Sequence, residues 1–193
     1  REEFFKKSLV EKNWYRSMIN YLSFVDPRSD EEYLENLVIY GEKTDLEFKA
    51  STKFSFDKQA DDKTLYYQVI KSICALANTN GGTLIVGYHE KQYGFVGIEK
   101  DGFSDNDKWE NYVRNHLDAK AGKFIGTLSD FQYKKYNKKT ICVINVEKTT
   151  KSIMCKDLQN PKSKNFYVRT GPYTKSLNIE EAMEFIRKHQ LLE

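Results

Sequence analysis

Ala75-Leu76-Ala77-Asn78-Thr79-Asn80-Gly81-Gly82-Thr83-Leu84-Ile85-Val86-Gly87 is the stretch on which the fold of this chain turns. Leu65, Val69, Ile73 and Leu76 lead into it at helical spacing, which predicts a helix over about Thr64–Asn78 with one apolar stripe. The glycine pair ends that helix, because Gly adopts the left-handed conformation that closes helices. Thr83–Tyr88 then reads as a short buried strand that delivers His89 and Glu90 to its end. The pair does not make a phosphate loop. Phosphates bind at helix N-termini, whereas these glycines follow a C-terminus, and no Gly-x4-Gly-Lys-Ser/Thr segment occurs in the chain.

Upstream, Leu46–Ser51 reads as a strand, followed by a polar loop over Asp57–Lys63 in which Asp61 or Asp62 caps the helix. Downstream, Gly94 and Gly97 punctuate a hairpin and Ser104–Ala121 is amphipathic. Strands are predicted at Leu128–Tyr136, Thr140–Glu147, Ser152–Lys156 and Phe166–Thr170, before a last helix over Ile179–His189 capped by Asn178 or Ser176. Before all of this, residues 2–22 read as a helix broken at Asp26-Pro27, and Ser29-Asp-Glu-Glu32 resembles a capping box that opens another through Ile39. The order predicts an α+β domain, a mixed β-sheet flanked by helices, over residues 41–190, with an N-terminal helical arm over 1–40. Arg1 in place of an initiator Met, and the terminal Leu192-Glu193, read as the edges of a piece of something longer.

The chemistry starts at Glu42, Glu47 and Lys49. Alternation along a strand puts Glu47 and Lys49 on one face and Leu46 and Phe48 on the other. Glu42 folds back toward the same centre, and Glu90 adds a third carboxylate from another strand end. Three carboxylates suit Mg²⁺ or Mn²⁺, which prefer oxygen ligands and lower the pKa of an attacking water. Lys49 would steady charge developing on a phosphodiester. The competing reading is an exposed strand of alternating charge.

Charge is unevenly spread. Residues 1–119 carry 16 Lys/Arg against 21 Asp/Glu, whereas residues 120–175 carry 13 against 3. That basic block includes Lys134, Lys135, Lys138, Lys139, Lys164 and Arg169, and suits a polyanion through counterion release. In Phe166-Tyr-Val-Arg169-Thr-Gly171, Arg169 can grip a phosphate and Tyr167 or Tyr173 can stack a base, or else the aromatics fill a core. Three cysteines without metal-clip spacing, and no secretion signal, suggest a reducing, intracellular (cytoplasmic) setting. No apolar run approaches the roughly 18 residues of a membrane span, so no membrane partner is expected.

Taken in order, Glu42-x4-Glu47-Phe48-Lys49, Ile73–Gly82, Thr83–Gly87 with an acidic residue shortly after, Gly94-Phe-Val-Gly97 and Phe166–Gly171 resemble the Schlafen AlbA-type domain over about Gly41–His189. The resemblance implies a domain described as DNA-binding, or a metal-dependent endoribonuclease acting on structured RNA. In the latter the three acidic residues map onto Glu42, Glu47 and Glu90. It also implies pairing of two such lobes, here as a homodimer. Two departures stand out: Glu90 where Asp is common, and an extended segment over Phe54–Asp62. Two functions are therefore expected as alternatives. One is a nucleic-acid-binding module (DNA or RNA) of a larger regulatory or defence protein, such as a transcriptional regulator. The other is a nuclease using Mg²⁺ or Mn²⁺. ATP or nucleotide binding is the weaker third, since the phosphate loop is missing.

Overall fold

The structure, a computed structural model, describes residues 29–189, so the helix predicted over 2–22 lies outside the described residues. The chain divides into two compact units, Arg1–Ile39 and Tyr40–Glu193. The first is described through α1 (Asp30–Tyr40), which ends at the border between the two. Ser29 Oγ accepts the Glu32 N–H at 3.2 Å, one half of the predicted capping box.

The second unit runs β1 (Leu46–Lys49), β2 (Phe54–Ser55), β3 (Ala60–Asp61), α2 (Leu65–Thr79), β4 (Gly82–Val86), β5 (Tyr88–His89) and β6 (Gly94–Phe95). A 3₁₀ turn (Ile98–Asp101) leads to α3 (Asn106–Ala121), α4 (Lys123–Thr127), β7 (Ser129–Tyr136) and β8 (Lys139–Val146). β9 (Met154–Lys156), β10 (Lys164–Thr170), β11 (Tyr173–Leu177) and α5 (Ile179–His189) complete it. The architecture is α+β with a mixed sheet. The main sheet has the order β1-β4-β8-β7, in which β1 and β4 are parallel and the other pairs antiparallel. A second sheet, β11-β10-β9, is antiparallel throughout.

α2 is the hub. It is buried on nearly all sides, as expected of a helix held between two sheets. Val69, Ile73 and Leu76 join Leu84 and Val86 of β4, Cys142 and Ile144 of β8, and Trp109, Val113 and Leu117 of α3 in one apolar core. Trp109, Val113 and Leu117 recur every fourth residue, so they form a single stripe on α3. Asp105 caps that helix by accepting the Lys108 N–H at 2.8 Å. The smaller sheet turns Tyr167 and Cys155 toward α2, and Phe166 and Val168 toward Ala182 and Phe185 of α5. Asn178 and Glu181 cap α5 reciprocally, each backbone N–H bonded to the other's side chain at 2.9–3.0 Å.

The Gly81-Gly82 turn is a close-packing device. Gly81 has φ +69°, and a Cβ there would meet the Val146 carbonyl oxygen at 2.5 Å. At Gly82 it would meet the Asp45 carbonyl oxygen at 2.4 Å. Asn78 acts beside it as a clasp within the interior. Its amide donates to the Ile153 and Tyr167 carbonyls at 2.9 Å and accepts the Ile153 N–H at 2.9 Å, tying α2 to the second sheet.

Candidate nucleic-acid interface

The β1 register sets the side-chain geography. Glu47 and Lys49 pair across from Leu84 and Val86, which face the α2 core, while Leu46 and Phe48 take the opposite face. The predicted alternation is what the structure shows. Glu47, however, is 5% exposed and closes an internal network. One carboxylate oxygen is ion-paired to Lys49 Nζ and the other to the Arg169 guanidinium. Arg169 also donates to the Lys43 carbonyl at 2.8 Å, the Leu46 carbonyl at 3.3 Å and Thr174 Oγ1 at 3.2 Å. Its side chain is 0% exposed, so this guanidinium binds the start of β1 to β10 and is not placed to meet a phosphate. Burial pushes its pKa down, opposed by the charges of Glu42 and Asp45.

Glu42 does fold back to the strand, where its Oε1 accepts the Phe48 N–H at 3.0 Å and covers part of the β1 edge. Glu90 is exposed just beyond β5. Burial raises its pKa and the negative charge of Glu42 raises it further, against the opposing charges of Lys49, Lys91 and His89. For Lys49, burial lowers the pKa while Glu42 and Glu90 oppose the shift. Glu42, Glu90 and Lys49 therefore share one field, and Glu47 lies beside them with both oxygens engaged. Among the described residues, no three His, Cys, Asp or Glu side chains are grouped to hold a metal ion. The donor set as placed does not fit Mg²⁺ or Mn²⁺, because a ligand in the middle of it is spent on two cations.

The lysines singled out in the basic block are spread over several elements. Neighbouring strand residues point to opposite faces, so Lys134 and Lys135 part company on β7; Lys135 donates to Thr140 Oγ1 at 2.6 Å. Lys138, at φ +66°, occupies the β7–β8 turn, and Lys139 donates to the Phe95 carbonyl at 2.6 Å. Lys164 stands opposite Lys156 on the face of the second sheet that carries Phe166 and α5. Tyr167 is 8% exposed and its hydroxyl meets that of Tyr67 at 3.2 Å, so it offers no free face to a base. Tyr173, at 74% exposed, does.

Another set of cations, which includes Lys120 of the basic block, is linked through two tyrosine rings. Lys71, one turn beyond Tyr67 on α2, holds its Nζ 5.8 Å from the Tyr67 ring centre and 5.7 Å from that of Tyr167. Lys120, in the last turn of α3, sits 5.6 Å from the Tyr67 ring and donates to the Asp157 carbonyl at 3.1 Å. Lys49 is close enough to Lys71 to lower its pKa, adding to the larger effect of burial. Lys49, Lys71 and Lys120 thus form a row in which Lys71 and Lys120 share a hydrogen-bonded tyrosine pair and Lys49 adjoins Lys71. Lys71 escaped sequence reading because it lies outside the basic block, on a helix read only for its apolar stripe. The signal that marks it is Tyr67 four residues before it. At the Lys49 end of the row lies a cleft of about 290 Å³, bordered by Phe48 and Lys49 of β1, Asp57 of the β2–β3 hairpin, and Tyr88 to Gln92 of the β5–β6 hairpin.

Over residues 42–178 the chain matches the family described as Schlafen, AlbA_2. It belongs to that family. The first solved structure similar to this Schlafen AlbA_2 chain is the DIP2311 protein from Corynebacterium diphtheriae, at 18% identity and a TM-score of 0.51. That likeness, which shows the shared fold, covers 79% of this chain and 28% of the other. Another is the N-terminal domain of an ATP-dependent DNA helicase RecG-related protein from Nitrosomonas europaea, at 20% identity and a TM-score of 0.48, covering 79% of this chain and 95% of that one. No curated protein matches the sequence. Among the described residues, no helix of this Schlafen AlbA_2 chain is long and apolar enough to cross a membrane.

Proposed function

We propose that this Schlafen AlbA_2 domain is a nucleic-acid-binding module. The observation that carries the reading is the row Lys49–Lys71–Lys120. Burial and then the charge of Lys49 depress the protonation of Lys71, and a phosphate set beside the two relieves that repulsion. The tyrosine rings beneath Lys71 and Lys120 hold both ammonium groups in place, which reduces the entropy lost on binding. In this reading the domain is the nucleic-acid contact of a larger regulatory or defence protein.

The test is fluorescence anisotropy with labelled single-stranded RNA and DNA over a range of salt. Three phosphate contacts give a slope of about −2 in log K against log[salt] for a single strand, and Lys71→Gln removes about 0.7 of it. Binding that ignores salt, or a slope unchanged in Lys71→Gln, would count against the row. The nuclease reading has one supporting observation, the shared field of Glu42, Glu90 and Lys49. It further needs Glu47 to release its cations. The same probes incubated with Mn²⁺, Mg²⁺ or EDTA decide it, since metal-dependent cutting lost in Glu90→Gln would favour a nuclease.

A further inference from the structure

The extended segment that sets this sequence apart, 54–62, forms the β2–β3 hairpin, and its tip brings Phe56 against the β5–β6 hairpin. The rings of Phe56, His89 and Tyr93 meet one another at 5.3 Å, 5.0 Å and 5.4 Å between centres. Such spacing is that of mutually packed aromatic rings. Tyr93 is nonetheless 49% exposed. Of these three rings His89 lines the cleft, and Phe48 and Tyr88 pack at 5.0 Å in its wall. The polar groups around it are of both signs: Lys49 and Lys91, Asp57 and Glu90. His89 Nδ1 accepts the Gln92 N–H at 3.3 Å, so in the neutral ring the proton sits on Nε2, a donor.

We propose that this cleft, with the Phe56–His89–Tyr93 ring cluster that adjoins it through His89, is a subsite for one unpaired nucleobase at the end of a single strand tracked by Lys49, Lys71 and Lys120. The inference rests on the nucleic-acid-binding reading above and deepens it. Three features select this occupant. At about 290 Å³ the cleft lies at the small end of ligand sites, which suits one base rather than a larger ligand. The aromatic rings offer a π-face, which every base can stack on, and a duplex keeps its bases covered. Lys49 belongs both to the cleft and to the row, so a strand lying on the row ends at the rings with its terminal phosphate at Lys49. The carboxylates Asp57 and Glu90 accept from base amino groups or sugar hydroxyls, while repelling a second phosphate.

The experiment uses the whole chain and a short single-stranded oligonucleotide with 2-aminopurine at its 5′ or 3′ end, compared with a fully paired duplex of the same sequence. Stacking on a ring quenches 2-aminopurine fluorescence. Wild type is expected to prefer the single strand and to quench the probe at one of its two ends. Tyr93→Ala is expected to lose roughly 5- to 150-fold in single-strand affinity and to abolish the quenching, with its salt slope retained. Tyr93→Phe, which keeps the ring, is expected to behave as wild type. Tyr93 lies on an exposed hairpin outside the core, so both variants keep the fold. Salt-sensitive binding with equal affinity for duplex and single strand, and no change in Tyr93→Ala, overturns the subsite alone. Absence of salt-sensitive binding to either probe overturns the nucleic-acid reading and the subsite with it.

Discussion

Replacing Glu47 by Ala deletes the carboxylate paired to a guanidinium with a fully buried side chain. Arg169 would keep the Lys43 and Leu46 carbonyls and Thr174 as acceptors, and its Nε is buried without a hydrogen-bond partner. Breaking a buried ion pair from one side costs about 3–5 kcal/mol, because the remaining charge has lost its partner. The surviving carbonyls and the nearby charges of Glu42 and Asp45 place this case at the lower end, about 3 kcal/mol. With an m-value of about 2 kcal/mol/M, the urea midpoint falls by about 1.5 M. Urea titration followed by circular dichroism measures it directly. Adding Arg169→Met to Glu47→Leu should recover most of the loss, since an uncharged pair of similar volume needs no partner. A fall of less than about 0.5 M for Glu47→Ala, or a double variant no better than the single, would refute the structural role of the pair. The result also matters for any cleavage assay. Loss of cutting in Glu47→Ala would mix unfolding with chemistry, whereas exposed Glu90 does not have that defect.

Three further outcomes follow from the same geometry. Asp101, 1% exposed, accepts from the backbone of Thr52, Lys53 and Phe54, from both hydroxyls of Ser51 and Thr52, and from the Trp109 indole; Asp101→Ala should cost about 3 kcal/mol by urea titration and loosen the β2–β3 hairpin in hydrogen exchange. Gly81→Ala should lose 2 kcal/mol or more, about 1 M in midpoint, because its Cβ would overlap the Val146 carbonyl at a positive φ. Burial, with the Lys120 charge adding, depresses the His116 pKa below its ordinary 6.5, so the folded chain binds fewer protons there than the unfolded one. The urea midpoint should therefore be flat above about pH 6.5, fall as pH drops below it, and lose that acid-side slope in His116→Gln.

The helix at 65–79, the glycine turn and β4 were legible because apolar period and glycine chemistry agree along one continuous stretch. Asn178 as a cap was legible for the same local reason. β11 was missed because it reads Tyr-Thr-Lys-Ser-Leu, mostly exposed at the edge of a sheet, with no apolar alternation to mark it. α4 and the β2–β3 hairpin are too short to carry a period. At the candidate site, the shared face of Glu47 and Lys49 follows from strand alternation alone. The fate of Arg169 does not, since its partner stands 122 residues away and only the packing of β10 on α2 brings them together. The lysines at 134–139 are spread for the reason that made the strands predictable: alternation and a tight turn set consecutive lysines on different faces.

Gly87 fixes more than a turn. Its N–H donates to the Lys49 carbonyl at 2.9 Å and its carbonyl accepts from Val96 and Gly97 at 2.8 Å and 3.0 Å, so the β5–β6 hairpin is fastened to β1 at its base. Asp101, a few residues past that hairpin, fastens the segment from which β2 and β3 rise. The two aromatic hairpins thus hang from one circuit of backbone bonds closed by the Asp101 side chain, and the space between them exists before any ligand arrives. Such a receptor gives an observed association rate that climbs in a straight line with ligand concentration, with no plateau set by a prior opening step.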